Sequence, residues 1–531
     1  MMRKQLALAF LIVTLSFTTR AQHSLAFYHL GDATFQNSFY NPASLPEGKV
    51  FIGLPVLSGI HLNFNNKFSY SDFIGKSESG GSKIDLDKLL DSFQKNNMTS
   101  TTMTFSLFHF AVSTNTGKNF SIFANERIEM DLLYPKSLMQ FAIKGNGDNL
   151  GETVKIGKTR MSATHFREIG LGYSMTVGKD LSIGVRAKYL QGFLNLSTPG
   201  NFTADLTTDA EDYSLHLDLH NATLRTSGMG VYQGESGNIA THMIMNNNRG
   251  GAIDLGFNYN LDRFNTISAS LVDIGFISWK EDIKNHTYSD TTMVYSGIDL
   301  SEPDDLEQQI EDSLINKFKD RRTETYETFT TITSPKAYLS WTFHTPFGGD
   351  VIGTSGTRYT QGQLKWMFGA GYRQRLGNFL VGSVNVTKLP QQFLNLGGAL
   401  SIKGGPAQMY LAVDHIMNFD VTKFQAFDFR FGINFIIGQR DPEILAKKDN
   451  GPKSKRTKTA TGSFLGNKVD VKGQEGIYTI IDKQGRRLKS DYDVRVKPNK
   501  GDKKKVKIQT VEDPIPKESN RRQKKKPRKD F

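Results

Sequence analysis

In the stretch Phe427 to Ile437, FDFRFGINFII, every second residue is apolar: Phe427, Phe429, Phe431, Ile433, Phe435 and Ile437 share one face, and Asp428, Arg430, Gly432 and Asn434 share the other. A period of two is that of a β-strand. Eleven residues at about 3.3 Å each extend about 36 Å, and a tilt of about 40° projects this onto about 27 Å, close to the apolar band of an outer-membrane barrel. The ionic face must then look into a lumen, because a charged Arg on the lipid face costs about 2–4 kcal/mol at mid-bilayer. A strand of a large soluble sandwich carries the same alternation in a shorter run.

Elsewhere the chain closes off the helical way of crossing a bilayer. After the first twenty residues no run is long and apolar enough for a membrane helix, so any crossing by the mature chain is made by strands. Its 37 Phe and 49 Gly suit a lipid-facing barrel with tight turns. The absence of cysteine excludes disulfides, thiolate metal sites, a cysteine nucleophile and a lipoprotein anchor. The net charge of +13 resembles a nucleic-acid signal only until it is located. Residues 441–531 hold 27 Lys and Arg against 13 Asp and Glu, whereas residues 1–440 hold 39 against 40.

Met1 to Ala21 reads as a secretory signal peptide: Arg3 and Lys4 precede an apolar run from Leu6 to Phe17, and Thr19-Arg20-Ala21 supplies small residues at the cleavage site. Export makes nucleic acid an unsuitable partner. In the N-terminal segment, residues 22–48, Asn41-Pro42-Ala43 followed by Pro46 and Gly48 is turn chemistry, with Pro fixing φ and Asn able to bond its own backbone.

These residues carry a resemblance. The aromatic-rich start FQNSFYNPASLPEG, then GAIDLGFNY at Gly251 to Tyr259 and SLVDIGFISW at Ser270 to Trp279, resemble an uncharacterised Bacteroidota family of outer-membrane β-barrels related to the long-chain fatty-acid transporter (FadL-like) class. The resemblance covers roughly residues 25–440. It implies a barrel of about fourteen strands, with the N-terminal segment folded into the lumen as a hatch.

Counted from the residues alone, the strands are 50–64, 102–113, 119–130, 165–177, 181–196, 213–224, 252–260, 267–276, 337–343, 364–376, 379–387, 393–402, 408–416 and the final one, again fourteen and an even number. Ile253, Leu255, Phe257 and Tyr259 oppose Asp254, Gly256, Asn258 and Asn260; Leu364, Trp366, Phe368, Ala370 and Tyr372 oppose Lys365, Gly369 and Arg373. Lumen-facing candidates are therefore Asp254, Asn258, Arg373, Asp428 and Arg430. Phe105 to Phe110 is apolar on both faces, which implies a partly greasy or filled lumen. Gly178-Lys179-Asp180, Leu261-Asp262-Arg263 and Gly377-Asn378 are hairpin turns. Amphipathic helices are expected over Ile84 to Lys95, capped by Ser82, and over Ser301 to Arg322.

After Arg440 the strands stop. Lys503-Lys504-Lys505 and the seven basic residues of Arg521 to Lys529 mark a mostly disordered basic tail. Within it, Ile477 to Ile481 and Val494 to Val496 are candidates for a small hairpin. The tail is expected in the periplasm, where its partner is anionic: lipid headgroups, cell-wall material or an acidic protein patch.

The search for chemistry yields no catalytic, cofactor or metal site. Gly157-Lys158-Thr159 fails as a phosphate-binding loop because position 152 is Glu. His216, Asp218 and His220 share a strand face, but the outer pair stands about 13 Å apart, too far for one ion, and a polar lumen wall is the expectation there. No Gly-x-Ser-x-Gly elbow occurs. The expectation is a non-enzymatic, all-β transmembrane barrel over residues 49–440 in the outer membrane of a Gram-negative bacterium, surrounded by lipid, without cofactors. It passes or binds a small hydrophobic molecule. The alternative is a non-transporting scaffold for secretion or the envelope, acting through its loops and tail.

Overall fold

The computed structural model describes residues 25–66, 74–76, 82–145, 149–220, 222–288, 291–295, 321–388, 394–414 and 426–439, and five strands between 458 and 511. The leader expected over 1–21 lies outside the described residues, as do residues 301–320 of the helix expected over Ser301 to Arg322. The chain divides into two units, Met1–Ala446 and Lys447–Phe531.

The first unit is a closed antiparallel barrel of fourteen strands: β1 (Gly48–Gly53 with Ile60–Asn65), β2 (Asn96–Ser113), β3 (Lys118–Pro135), β4 (Thr153–Val177), β5 (Leu181–Ser197), β6 (Arg249–Asn260), β7 (Asn265–Trp279), β8 (Lys336–His344), β9 (Gly349–Thr360), β10 (Gln363–Leu376), β11 (Leu380–Lys388), β12 (Leu394–Gly404), β13 (Ala407–Asp414) and β14 (Ala426–Gln439). Each strand pairs with the next. The ring closes where β14 pairs with both halves of β1, Val50 opposite Ile437 and Ile60 opposite Phe431. Closure leaves no free edge at bilayer depth, which is what lets a sheet sit in lipid. Among the described residues no helix is long and apolar enough to cross a membrane.

The facing is inside out relative to a soluble protein. On β6, Ile253, Leu255, Phe257 and Tyr259 are each more than 40% exposed while Asp254 is fully buried. On β14, Phe427, Phe435 and Ile437 point outward and Asp428 and Asn434 inward. The outer surface is thus the apolar band of a transmembrane barrel. Phe431→Arg on that band is expected to cost about 2–4 kcal/mol near mid-bilayer. It should deplete the folded, heat-modifiable species in outer-membrane fractions.

Connections at one end of the barrel, including residues 178–180, 261–264 and 377–379, are two to four residues long. The other end carries most of the longer ones. There β4 runs beyond the barrel and its first part pairs with Phe202–Thr208, which pairs in turn with Leu215–His220 and then Thr291–Tyr295. A helix at Lys136–Lys144 lends Leu138 and Phe141 to the apolar layer of Ile156, Leu206 and Met293.

The count of fourteen agrees with expectation through two compensating errors. The segment 213–224 is not a barrel strand; it supplies Leu215–His220 and Ala222–Ser227 to the sheets beyond the rim. His216, Asp218 and His220 are therefore not lumen wall. They bond Ser214, Thr292 and Asp205 respectively. In its place stands β9, GDVIGTSGTRYT, whose outward positions Gly353, Ser355 and Thr357 carry no apolar signal. The strand expected over 50–64 is also broken: Pro55 lacks an N–H for the ladder, Val56 takes φ 62°, and the Ser58 carbonyl is turned into the lumen.

Two smaller corrections follow from local geometry. The helix near residue 90 is Leu86–Ser92, and its cap is Asp85, not Ser82: the Asp85 carboxylate accepts from the Lys88 N–H at 3.0 Å. The apolar look of Phe105 to Phe110 comes from a register shift between Ser106 and Phe108, which keeps Ser106 and His109 inward and Phe108 and Phe110 outward. That stretch of the lumen is polar.

The second unit contains a three-stranded antiparallel sheet, Lys458–Phe464, Asn467–Gln474 and Ile477–Ile481, and a hairpin of Asp493–Pro498 with Val506–Val511. Ile477–Ile481 and the strand containing Val494 to Val496 thus take other partners rather than each other.

Candidate functional site

Residues 25–47 thread the inside of the ring. Their side chains and carbonyls meet strands on every side: Tyr28 Oη bonds Ser340 Oγ on β8 at 2.9 Å, His29 Nε2 bonds Thr354 Oγ1 on β9 at 3.1 Å, Arg186 on β5 bonds Ser38, and Gln36 Nε2 donates to Asn434 Oδ1 on β14 at 2.7 Å. A segment that touches strands all round a closed ring lies within it. Two short 3-10 turns, Tyr28–Ala33 and Phe35–Phe39, pack Leu25, Phe27, Leu30 and Phe35 out of solvent. The Asn37 amide donates to the Phe27 and Tyr28 carbonyls at 3.2 and 2.8 Å and ties one turn to the other. Between them Gly31 adopts φ +60° beside the Arg373 guanidinium, a backbone conformation that residues with a side chain rarely adopt. Burial, with Arg373 as a second cause, pushes the His29 imidazole down to about 3, so it is neutral at ordinary pH.

The turn Asn41-Pro42-Ala43 leans on the wall. Asn41 Oδ1 accepts from the Ala43 N–H at 2.9 Å, the local bond that Asn favours in turns. Its amide donates to Asn258 Oδ1 at 2.8 Å, and the Asn258 amide donates to the Ala43 carbonyl at 3.1 Å. Ser270 Oγ donates to the Tyr40 carbonyl at 2.6 Å. Two glycines make this approach feasible. A Cβ on Gly184 would strike the Pro42 carbonyl, and one on Gly256 would strike the Asn41 side chain. The wall there is one backbone thick.

On the outer side of the same wall lies a groove of about 670 Å³. It runs over β5, β6 and β7, and its lining includes Ile183, Val185, Leu255, Phe257 and Leu271, with Gly184, Gly256 and Ser270 among them. The Asn41-Pro42 turn therefore backs an apolar groove on the lipid-facing surface.

Toward the long-loop end the lumen is crossed by charge. Val272 and Asp273 form a bulge on β7, where Leu271 pairs with Leu255 but Ile274 pairs with Ile253. The bulge gives Asp273 φ +61° and turns its carboxylate inward. Three cations converge on it: Arg127 through two bonds of 3.0 Å, Lys188 at 2.6 Å and Lys336 at 2.7 Å. Its own N–H donates to Asp254 Oδ1 at 2.7 Å, and Lys188 also reaches Asp254 at 2.8 Å. Arg127 continues to Glu168 at 2.9 Å and to Glu129; Arg358 pairs with Asp131 at 2.9 Å. The network joins β3 through β9, half the ring. Between it and the N-terminal segment remains a cavity of about 110 Å³ lined by Thr102, Tyr338, Tyr410 and Arg430, among others.

Of the residues singled out from sequence, Asp254 enters the ion network and Asn258 holds the Asn41 turn. Arg373 pairs with Asp350 at 2.7 Å, and Asp428 accepts from His61 at 3.0 Å and Asn63 at 2.7 Å. The Arg430 guanidinium stands over the Phe27 and Tyr40 rings at 5.3 and 5.1 Å. Arg127, Glu129, Asp131, Glu168, Lys336 and Arg358 were not indicated. The run NERIEMD at 125–131 repeats a charge at 127, 129 and 131, but the outward Glu126 obscures its two-faced character. Arg358 sits on β9, which the apolar pattern does not mark.

Among solved structures the chain is similar to the Pseudomonas putida toluene transporter TodX (9% identity, 78% of this chain and 93% of that one, TM-score 0.35), the Ralstonia pickettii toluene transporter TbuX (10%, 76% and 94%, TM-score 0.37) and a Pseudomonas aeruginosa FadL homologue (8%, 79% and 100%, TM-score 0.36). No curated protein matches the sequence. The model of one protein family matches residues 42–414, a span that begins at Pro42, just after Asn41, and takes in the barrel as far as β13, and the chain belongs to that family, DUF5723, of unknown function.

Proposed function

We propose that this chain is an outer-membrane barrel through which a small hydrophobic molecule passes or in which it binds, using the side wall at β5–β7, with residues 25–47 as the gate. One observation carries the reading: an apolar groove on the lipid-facing surface is backed, through glycines, by a turn of the lumenal segment rather than by a strand's side chains. Moving that turn inward by a few ångströms, which breaks only a few hydrogen bonds, would leave the paired backbones of β5, β6 and β7 as the one barrier between the groove and the lumen, so passage also requires those strands to part locally. A straight axial route is less suitable, since it would have to cross the ion network of β3–β9.

In this reading residues 1–21 are the export leader and the short-turn end is periplasmic, by the usual habit of such barrels. Gln439 ends β14 at that end. Residues 441–531 then begin in the periplasm, where their basic charge suits an anionic partner.

Because the chain has no cysteine, an engineered pair reports cleanly. Ala43→Cys with Asn258→Cys would lock the turn to β6, at a place already bridged by a hydrogen bond of 3.1 Å. Oxidation should bring uptake of a hydrophobic fluorescent probe down to that of empty membranes, and reduction should restore it. Unchanged uptake in the locked form would discard the gate. The non-transporting scaffold reading would then gain, and the ion brace across half the lumen is the observation that favours it.

A further inference from the structure

Just before β6 the chain makes an excursion, residues 228–248, that folds back over the outer face of the barrel. Four contacts fix it there. The buried His242 has its Nε2 2.9 Å from the Phe193 carbonyl, Tyr232 Oη lies 2.9 Å from His165 Nδ1, and Arg167 and Gln191 donate to the Met243 and Ile244 carbonyls, each at 3.3 Å. Arg167 on β4 points outward, since it alternates in step with the exposed Ile169 and Leu171, and Gln191 on β5 does so in step with Val185 and Tyr189. Beneath the excursion this outward wall is charged. The Glu126 carboxylate of β3 accepts from Arg167 at 2.8 Å and stands 2.7 Å from His165 Nε2, while the Arg167 guanidinium lies over the Phe193 ring at 5.0 Å.

The excursion's own surface has the opposite character. Ile244 and Met245 are 73% and 75% exposed, and Ile239 joins them at 44%. From Ser236 to Asn248 there is no Asp, Glu, Lys or Arg. An uncharged stretch with protruding apolar side chains suits contact with lipid, where a charge is costly. Its place on the wall agrees. The Ile244 carbonyl is held by Gln191, which lies in one outward row with Arg167 and Arg249, and the next row is Ile169, Tyr189 and Gly251 of the apolar band. A step of two residues, about 7 Å, separates the rows. Ile244 and Met245 thus continue the lipid-facing surface. We infer that residues 239–245 are a membrane-surface element: Ile244 and Met245 enter the acyl chains of the leaflet at the long-loop end, and the excursion roofs the Glu126, His165 and Arg167 cluster against lipid. The inference rests on the membrane-barrel reading.

The absence of cysteine allows one thiol label per variant. Met245→Cys, Leu171→Cys and Tyr213→Cys, each in the full mature chain and labelled with bimane, put the probe on the excursion, on the wall of β4 and at a connection beyond the rim; all three native side chains are exposed. In phosphatidylcholine nanodiscs the probe at position 245 should be quenched by a phosphatidylcholine carrying a nitroxide on its acyl chain near the glycerol. Aqueous iodide should quench it far less than the probe at position 213, and its emission should lie to the blue. Ile244→Asp added to Met245→Cys should raise iodide quenching toward the level at position 213, and Ile244→Leu should leave it unchanged. Iodide quenching equal at 245 and 213, shielding from both quenchers as by a second copy, or no response to Ile244→Asp would each overturn the proposal. The probe at position 171 reports the barrel separately. Nitroxide quenching there with free access of iodide at 245 overturns this inference alone, and free access of iodide at 171 overturns the barrel reading together with it.

Discussion

Asp273→Ala is expected to remove most of the folded barrel. The substitution leaves Arg127, Lys188 and Lys336 pointing at one another without the carboxylate that gathers them. Breaking a buried ionic group by deleting one partner typically costs about 3–5 kcal/mol, and alanine at φ +61° adds about 1–2 kcal/mol of backbone strain. Against a total stability of about 5–15 kcal/mol for a typical domain, this is a large fraction. The two causes separate with a second variant. Asparagine tolerates the left-handed region and can keep a hydrogen bond, so Asp273→Asn removes only the charge and should be intermediate. The fraction of heat-modifiable protein and its melting midpoint in detergent are the readouts. If both variants match the wild type, the network is not a brace.

The parts of this fold that were legible in the sequence are those where lipid imposes a simple rule. Outward residues of β6 and β14 must be apolar and their neighbours need not be, so the period of two survives in FDFRFGINFII and GAIDLGFNY. Short turns at 178–180, 261–264 and 377–379 were legible for a related reason: Gly178 and Gly377 take positive φ, which a tight connection often requires. The rule fails where small residues face outward, as at Gly353, Ser355 and Thr357 of β9, and where a strand leaves the membrane, as Leu215–His220 does. It also fails at bulges. The register shift at Ser106/Phe108 made a two-faced strand look greasy.

The site was legible by half. The Asn41-Pro42-Ala43 turn announced itself by turn chemistry, and Asp254 and Asn258 by alternation. What they meet was not, because Asn41 and Asn258 are 217 residues apart and only closure of the ring sets them 2.8 Å from each other. Gly184 and Gly256 read as ordinary strand glycines until the Pro42 backbone is found behind them.

The gate itself is tested most directly by Gly184→Ala in a chain carrying Ala43→Cys as its one thiol. The added methyl meets the Pro42 carbonyl, which is backbone and has no rotamer by which to move aside. An overpacking cost of about 1–3 kcal/mol shifts the turn between its seated and displaced positions by roughly 5- to 150-fold. The rate at which a water-soluble maleimide labels the introduced thiol in intact barrels should rise within that range, and entry of a hydrophobic probe should rise with it. The barrel's heat-dependent mobility shift should persist. Labelling and entry that stay at the level of the Gly184 protein would contradict the account, since the turn would then not be seated against that wall.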